Sequence, residues 1–143
     1  MRQSYGGTFF RDRAVRNESG ALKVCDEYTE TCQYYAFTFG YADKEKTPAL
    51  YKILFEELSG YDDVSEKYPL LARSNSFIGL YLRLDYLCAI GEYDRLLRDV
   101  KKYFLFQAKE TKTFWEYKDA RGSCCHGFAS VIGEWLIKAV KRL

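Results

Sequence analysis

Phe77, Leu80, Tyr81, Leu84, Leu87 and Cys88 recur at the spacing of one helix face, and Gly91 stops the run. A stripe this wide has to be buried against another element, and the next segment supplies one. From Glu92 onward, Tyr93, Leu96, Leu97, Val100, Tyr103 and Phe104 face inward, while Arg95, Arg98, Asp99, Lys101 and Lys102 make a charged outer face. Two such runs joined by a short break predict neighbouring antiparallel helices. That expectation constrains every other segment of the chain.

Three further segments fit the same scheme. From Glu30 to about Ala42, Cys32, Tyr35, Ala36 and Phe39 recur at i, i+3, i+4 and i+7, with Thr29 as N-cap and Gly40 loosening the end. Thr47-Pro48, followed by Leu50, Ile53, Leu54 and Leu58 with Gly60 beyond, predicts a helix with proline at its first position. The last helix, roughly Gly127 to Arg142, is expected to bury Phe128, Val131, Ile132, Trp135, Leu136, Ala139 and Val140. Ser74 is placed to cap the helix that begins near Phe77.

The remaining segments are irregular. Thr8-Phe9-Phe10 and Leu22-Lys23-Val24-Cys25 flank the turn-like Asn17-Glu18-Ser19-Gly20 as an irregular hairpin would. Residues 61–73 form a connector with extended backbone before Pro69. Between 109 and 124, Thr111, Thr113, Trp115 and Tyr117 alternate as in a short strand or hairpin. The expected fold is all-α: helical hairpins with one short β-hairpin or strand insertion, in a single domain over residues 1–143.

Charge and cysteine usage exclude several functions. A formal net charge of +2, with lysines and arginines interspersed among acids, leaves no basic stripe for nucleic acid. No run of about 18 apolar residues is present to span a membrane. The five cysteines, Cys25, Cys32, Cys88, Cys124 and Cys125, are odd in number and unevenly spaced, which argues against a disulfide framework and for the reducing cytoplasm. Cys124, Cys125 and His126 are also zinc-ligand types, with Cys25 or Cys32 to complete a set. Adjacent cysteines hold one tetrahedral ion poorly, however, and no C-x-x-C pair exists, so neither metal nor cofactor is expected.

Chemistry concentrates in Thr113 to Ser130. Glu116 lies between Trp115 and Tyr117, where partial burial against rings suits a carboxylate to general-base work. His126, the only histidine, stands at the start of the last helix, whose dipole favours a neutral imidazole that can hydrogen-bond a hydroxyl. Each has a plain counterpart: a solvated loop glutamate, and a histidine that caps a helix and packs. Asp12 among Arg11, Arg13 and Arg16 fits a solvated ion-pair cluster, and Glu30 fits the first turn of a helix. Gln33 has no such structural explanation in the sequence.

Thr113-Phe114-Trp115-Glu116 followed by Ser123-Cys124-Cys125-His126-Gly127-Phe128-Ala129-Ser130 resembles the C-terminal segment of α-L-rhamnosidase-like six-hairpin glycosidases. Tyr5 to Asn17, Glu30 to Phe37 and Asn75 to Arg83 extend the resemblance over nearly the whole chain. It implies part of an (α/α)6 toroid, the incomplete C-terminal portion of an inverting glycoside hydrolase. Glu116 is then the general base, and Asp12, Glu30, Gln33, Trp115 and His126 shape the sugar pocket.

Three departures stand out: Cys125 where asparagine is usual, a short loop from Glu116 to His126, and no acidic motif for the general acid. The expected partners are therefore a carbohydrate and either the remainder of a longer enzyme or a second copy of the chain, with no hydrolysis by this chain alone. The competing expectation is a non-catalytic all-α carbohydrate-binding or protein-interaction domain.

Overall fold

The computed structural model describes residues 7–58, 66–74 and 77–142, and of Phe77 the backbone only. The chain divides into two compact units, residues 1–74 and 75–143. Helices dominate among the described residues, as the periodicity predicts: five α-helices, one π-helix and one 3-10 helix, with two two-stranded sheets.

In the first unit, β1 (Ala14–Arg16) pairs antiparallel with β2 (Leu22–Val24), Ala14 opposite Val24. The expected hairpin forms, but its first strand is not Thr8–Phe10. Asn17 sets the register: its Oδ1 accepts from Ala21 N at 2.9 Å and from Ser19 Oγ at 2.7 Å, and Gly20 takes φ of 81°, so the strands abut the turn directly. A second pair was hidden in the sequence. β3 (Tyr28–Thr29) runs parallel to β4 (Leu71–Ala72), with Thr29 opposite Ala72, so that the following residues, Glu30 and Arg73, come alongside.

α1 (Glu30–Thr38) starts as expected, with Thr29 Oγ1 accepting from Cys32 N at 3.1 Å, and Gly40 follows it with φ of 73°. Its buried face differs from the expected one. Glu30, Gln33, Tyr34, Ala36 and Phe37 are buried, whereas Tyr35 is 41% and Phe39 66% exposed. Two polar residues can point inward because each finds a full set of partners there, and Tyr34 and Phe37 then pack on Phe55 at ring distances of 5.8 and 5.1 Å. α2 (Pro48–Tyr51) has proline at its start and continues as a π-helix over Lys52–Glu57. Leu50, Ile53, Leu54 and Leu58 are buried as expected, joined by Tyr51 and Phe55. The expected stop at Gly60 lies outside the described residues.

In the second unit, α3 (Phe77–Ala89), α4 (Tyr93–Thr111) and α5 (Ile132–Val140) pack on one another, and Gly91 turns the chain between α3 and α4 with φ of 78°. Leu80, Leu84, Leu87, Leu96, Val100, Phe104, Ile132 and Trp135 form the core. Asp99 belongs to this core and not to the charged outer face. It has no exposure and its Oδ2 accepts from the equally buried Arg83 Nε at 2.8 Å, an ion pair across the helical hairpin that each member needs once the other is desolvated. The final helix opens with a 3-10 turn, Gly127–Val131, before α5 begins. That tighter winding takes Phe128, 50% exposed, off the expected stripe; within α5 Ile132, Trp135 and Ala139 are buried, whereas Val140 is 63% exposed. Ser74, the expected cap of α3, gives its backbone N–H to Glu30; the cap itself involves residues 75 and 76, which lie outside the described ones.

Candidate functional site

The loop from Lys112 to His126 begins where α4 ends, at Lys112, whose φ of 62° turns the chain back as a left-handed cap. The returning segment is anchored to α4. Gln107 is 1% exposed; its Oε1 accepts from Trp115 N at 2.8 Å and its Nε2 donates to Tyr117 O at 3.4 Å. Trp115 is buried, donates from Nε1 to Thr111 Oγ1 at 2.7 Å and lies edge-on to Phe106 at 5.5 Å. Phe114 lies edge-on to Phe104 at 5.6 Å.

Two backbone bonds close the loop: His126 N donates to Phe114 O at 2.8 Å and Glu116 N donates to Ser123 O at 2.9 Å. No strand is assigned between residues 109 and 124, where the alternation predicts a short strand or hairpin, and α4 takes in Thr111; the two bonds act as lone rungs, out of step by one residue. Cys124 and Cys125 together span what Trp115 spans alone, the arrangement of a β-bulge. Gly122 is approached closely by two side chains: a Cβ there would fall 2.6 Å from the Tyr117 ring and 2.8 Å from Glu116 Oε2, so one or both would have to shift.

Glu116 is half-buried, between the buried Trp115 and the half-buried Tyr117. Its Oε2 accepts from Ser123 N at 3.3 Å, and its other oxygen has no hydrogen bond among the described residues. A carboxylate fixed through its backbone, with one oxygen open, can accept a proton from a water molecule. His126 precedes the 3-10 helix in extended conformation, its carbonyl accepting from Ala129 N at 2.9 Å, and its ring lies 6.4 Å from that of Phe128. Trp115, Glu116 and His126 therefore share one small loop.

The other three candidates surround the start of α1 in the first unit. Asp12 Oδ1 accepts from Thr29 N at 2.8 Å. The neighbouring arginines pair elsewhere, Arg11 with Asp26 at 2.6 Å and Arg13 with Glu27 at 2.7 Å, both at exposed positions. Burial, reinforced by the negative charge of Asp12, pushes the Cys32 thiol up to about 11. Glu30 has no exposure: Arg73 Nε donates to Oε2 at 2.9 Å, Ser74 N donates to the same atom at 2.8 Å, and Tyr34 Oη donates to Oε1. Gln33, also fully buried, accepts from Phe10 N at 2.7 Å and donates to Phe10 O and Thr29 O, each at 2.9 Å. It clasps the incoming chain to the helix, which supplies the structural explanation that the sequence left open.

Gln107 was not singled out from the sequence, yet it had a signal. It continues the stripe Val100, Tyr103, Phe104 at i+7, a polar residue on an apolar face, as Gln33 does on α1. Arg73 and Gly122 had none, because each is defined by a contact distant in sequence or specific to the loop. Among the described residues no group of three or more His, Cys, Asp or Glu side chains is gathered to hold a metal ion, and no helix is long and apolar enough to cross a membrane. Comparison of the chain with family models, with curated proteins and with solved structures returns no match.

Proposed function

We propose that the chain is the C-terminal part of an α-L-rhamnosidase-like inverting glycoside hydrolase, in which Glu116 is the general base. The observation that carries this reading is the setting of Glu116: a half-buried carboxylate held by a backbone rung, with one oxygen open, one rung away from His126. In such a reaction the base takes a proton from water as that water attacks the anomeric carbon. A carboxylic acid on the opposite face, about 6.5–9.5 Å from the base, protonates the leaving oxygen. The acid belongs to chain preceding these residues, so this chain alone hydrolyses no aryl rhamnoside.

His126 binds a sugar hydroxyl, and Trp115 walls the loop. Asp12, Glu30 and Gln33 act as positioning residues, because the atoms named above already hold Thr29, Arg73, Ser74 and Phe10. The helices form part of an (α/α)6 toroid, and exposed Leu105, Phe106, Ile137 and Val140 are covered by the rest of the enzyme or by a second copy. Five free thiols support a reducing, cytoplasmic setting.

Azide tests the base. In the longer enzyme carrying Glu116→Ala, added azide is expected to restore turnover and yield a glycosyl azide of inverted configuration. Failure of azide to rescue a folded Glu116→Ala variant, or a product of retained configuration, would contradict the assignment.

One observation favours a second reading, a non-catalytic carbohydrate-binding domain. The Tyr35 and Phe39 rings lie parallel within 3° at 5.9 Å, and with Phe10, Arg11 and Tyr41 they border an open depression of about 210 Å³. Exposed rings of this kind suit stacking on a sugar. Rhamnoside binding that is lost in Tyr35→Ala and unchanged in Glu116→Gln would favour it.

A further inference from the structure

We propose that Cys124 and Cys125 form an oxidation site, an accessible vicinal dithiol that a low-molecular-weight disulfide converts into a Cys124–Cys125 disulfide, loosening the loop that carries Glu116. The inference does not depend on Glu116 being a base. Both thiols are free, and Cys125 is the one exposed cysteine among the described residues; Cys124 and Cys25 are half-buried, Cys88 is buried and the Cys32 thiol is pushed up to about 11. Cys125 is therefore the thiol that first attacks an incoming disulfide.

The place of the pair in the loop matters as much as its exposure. The two residues make up the bulge opposite Trp115, and the peptide between them takes no part in either backbone rung. Its carbonyl accepts from Thr113 Oγ1, and its N–H donates to Ser123 Oγ at 3.3 Å. That peptide can reorient without disturbing a helix or the core. Reorientation is obligatory, because neighbouring Cα atoms lie about 3.8 Å apart across a trans peptide, short of the roughly 4.4–6.8 Å that a relaxed disulfide spans. The bridge is consequently strained and easily reduced, as regulatory disulfides are. Ser123 and His126, immediately outside the pair, supply one partner to each rung, so distortion at the bulge reaches both.

With oxidised glutathione as oxidant, the Cys125 thiolate attacks one sulfur of its disulfide. That bond breaks, and the first glutathione leaves as a thiolate and is protonated. Cys124 then loses its proton and attacks the Cys125 sulfur, expelling the second glutathione. Two protein thiols are oxidised by two electrons in all, and one glutathione disulfide is reduced to two thiols.

The test treats the full chain with oxidised glutathione, alkylates the remaining thiols in denaturant and digests with trypsin. Cleavage after Arg121 and Lys138 releases Gly122 to Lys138, which contains both cysteines and no other. The expected peptide is about 2 Da lighter than the dithiol and carries neither alkyl group nor glutathione. In Cys124→Ser and in Cys125→Ser, one glutathione should remain on the surviving cysteine. Hydrogen exchange reads the loop: the Glu116 and His126 amides should exchange about tenfold faster after oxidation and recover with reduced glutathione, while the Trp115 amide, bonded to Gln107, does not change. A doubly alkylated or doubly glutathionylated peptide, or a bridge to Cys25, Cys32 or Cys88, would overturn the site. A Cys124–Cys125 bridge that leaves both amides unchanged would overturn its coupling to Glu116.

Discussion

Two glutamates bracket what this chain does with a carboxylate. Glu30, at the start of α1, is fully buried, and Arg73, Ser74 and Tyr34 occupy its oxygens. Glu116, in the loop after α4, is half-buried and receives one long hydrogen bond from Ser123 N. The first is committed to holding β3, β4 and α1 together. The second is positioned by its backbone, through the Ser123 rung and the Gln107 brace on either side, while its side chain stays available. A buried charge with all its partners is part of the architecture; an under-satisfied carboxylate on a loop tethered by backbone bonds is what the proposed proton transfer requires.

Removing the charge of Glu30 should have the largest effect on stability. Glu30→Gln leaves a guanidinium and a backbone N–H facing a neutral amide, and loss of one partner from a buried pair costs about 3–5 kcal/mol. Denaturant titration should register most of that loss. A change within about 0.5 kcal/mol, ordinary for a surface site, would abolish the contrast with Glu116.

Gln107→Ala should come next. It deprives the buried Trp115 N–H of its acceptor, at about 1–3 kcal/mol, and should speed exchange of the Trp115 amide while leaving the Arg83–Asp99 pair intact. An unaltered Trp115 amide would mean that the loop holds its shape without α4. Gly122→Ala places a methyl group against the Tyr117 ring and the Glu116 carboxylate, and displacement of that carboxylate with weakening of the Glu116–Ser123 rung is expected, at little cost to global stability because the site is exposed. Full retention of that rung by NMR, with the carboxylate in place, would show that the loop takes up the methyl group without moving Glu116.

The smallest effect concerns the first unit's thiol. Cys32 holds its proton in the folded protein up to about 11, above the ordinary 9.0, so its neutral form contributes stability in full below pH 9. That contribution is lost as the pH rises from about 9 through 11, because the unfolded chain ionises first. Timed alkylation at pH 9 should find Cys32 slower than Cys125. Equal rates would indicate that the surroundings of Cys32 open freely.

Helix existence was legible because the 3.6-residue stripes of α3 and α4 are long and their ends are marked by Gly91 and by polar breaks. Which face of α1 turns inward was not. Its apolar residues lie almost all round, and the decision rests on Arg73 and Ser74, brought in by a parallel strand pair 43 residues downstream that no local pattern announces. Asp99 was misplaced for the same reason: its partner Arg83 lies on the preceding helix, so from sequence it is one more charge among charges. Glu116 was picked out by its aromatic neighbours and by the resemblance. What steadies it, Gln107 and the close approach of Gly122, depends on the loop folding back on α4, which sequence spacing does not encode.

The most direct test of the contrast measures stability and turnover together in the longer enzyme that the proposal requires, for Glu116→Gln and Glu30→Gln. Glu116→Gln should unfold with the wild type and lose roughly 10²- to 10⁴-fold in turnover with ground-state binding little changed. Glu30→Gln should lose stability first and turnover only in proportion to the folded fraction. Wild-type turnover in a folded Glu116→Gln enzyme would contradict the account and return Glu116 to an ordinary loop carboxylate.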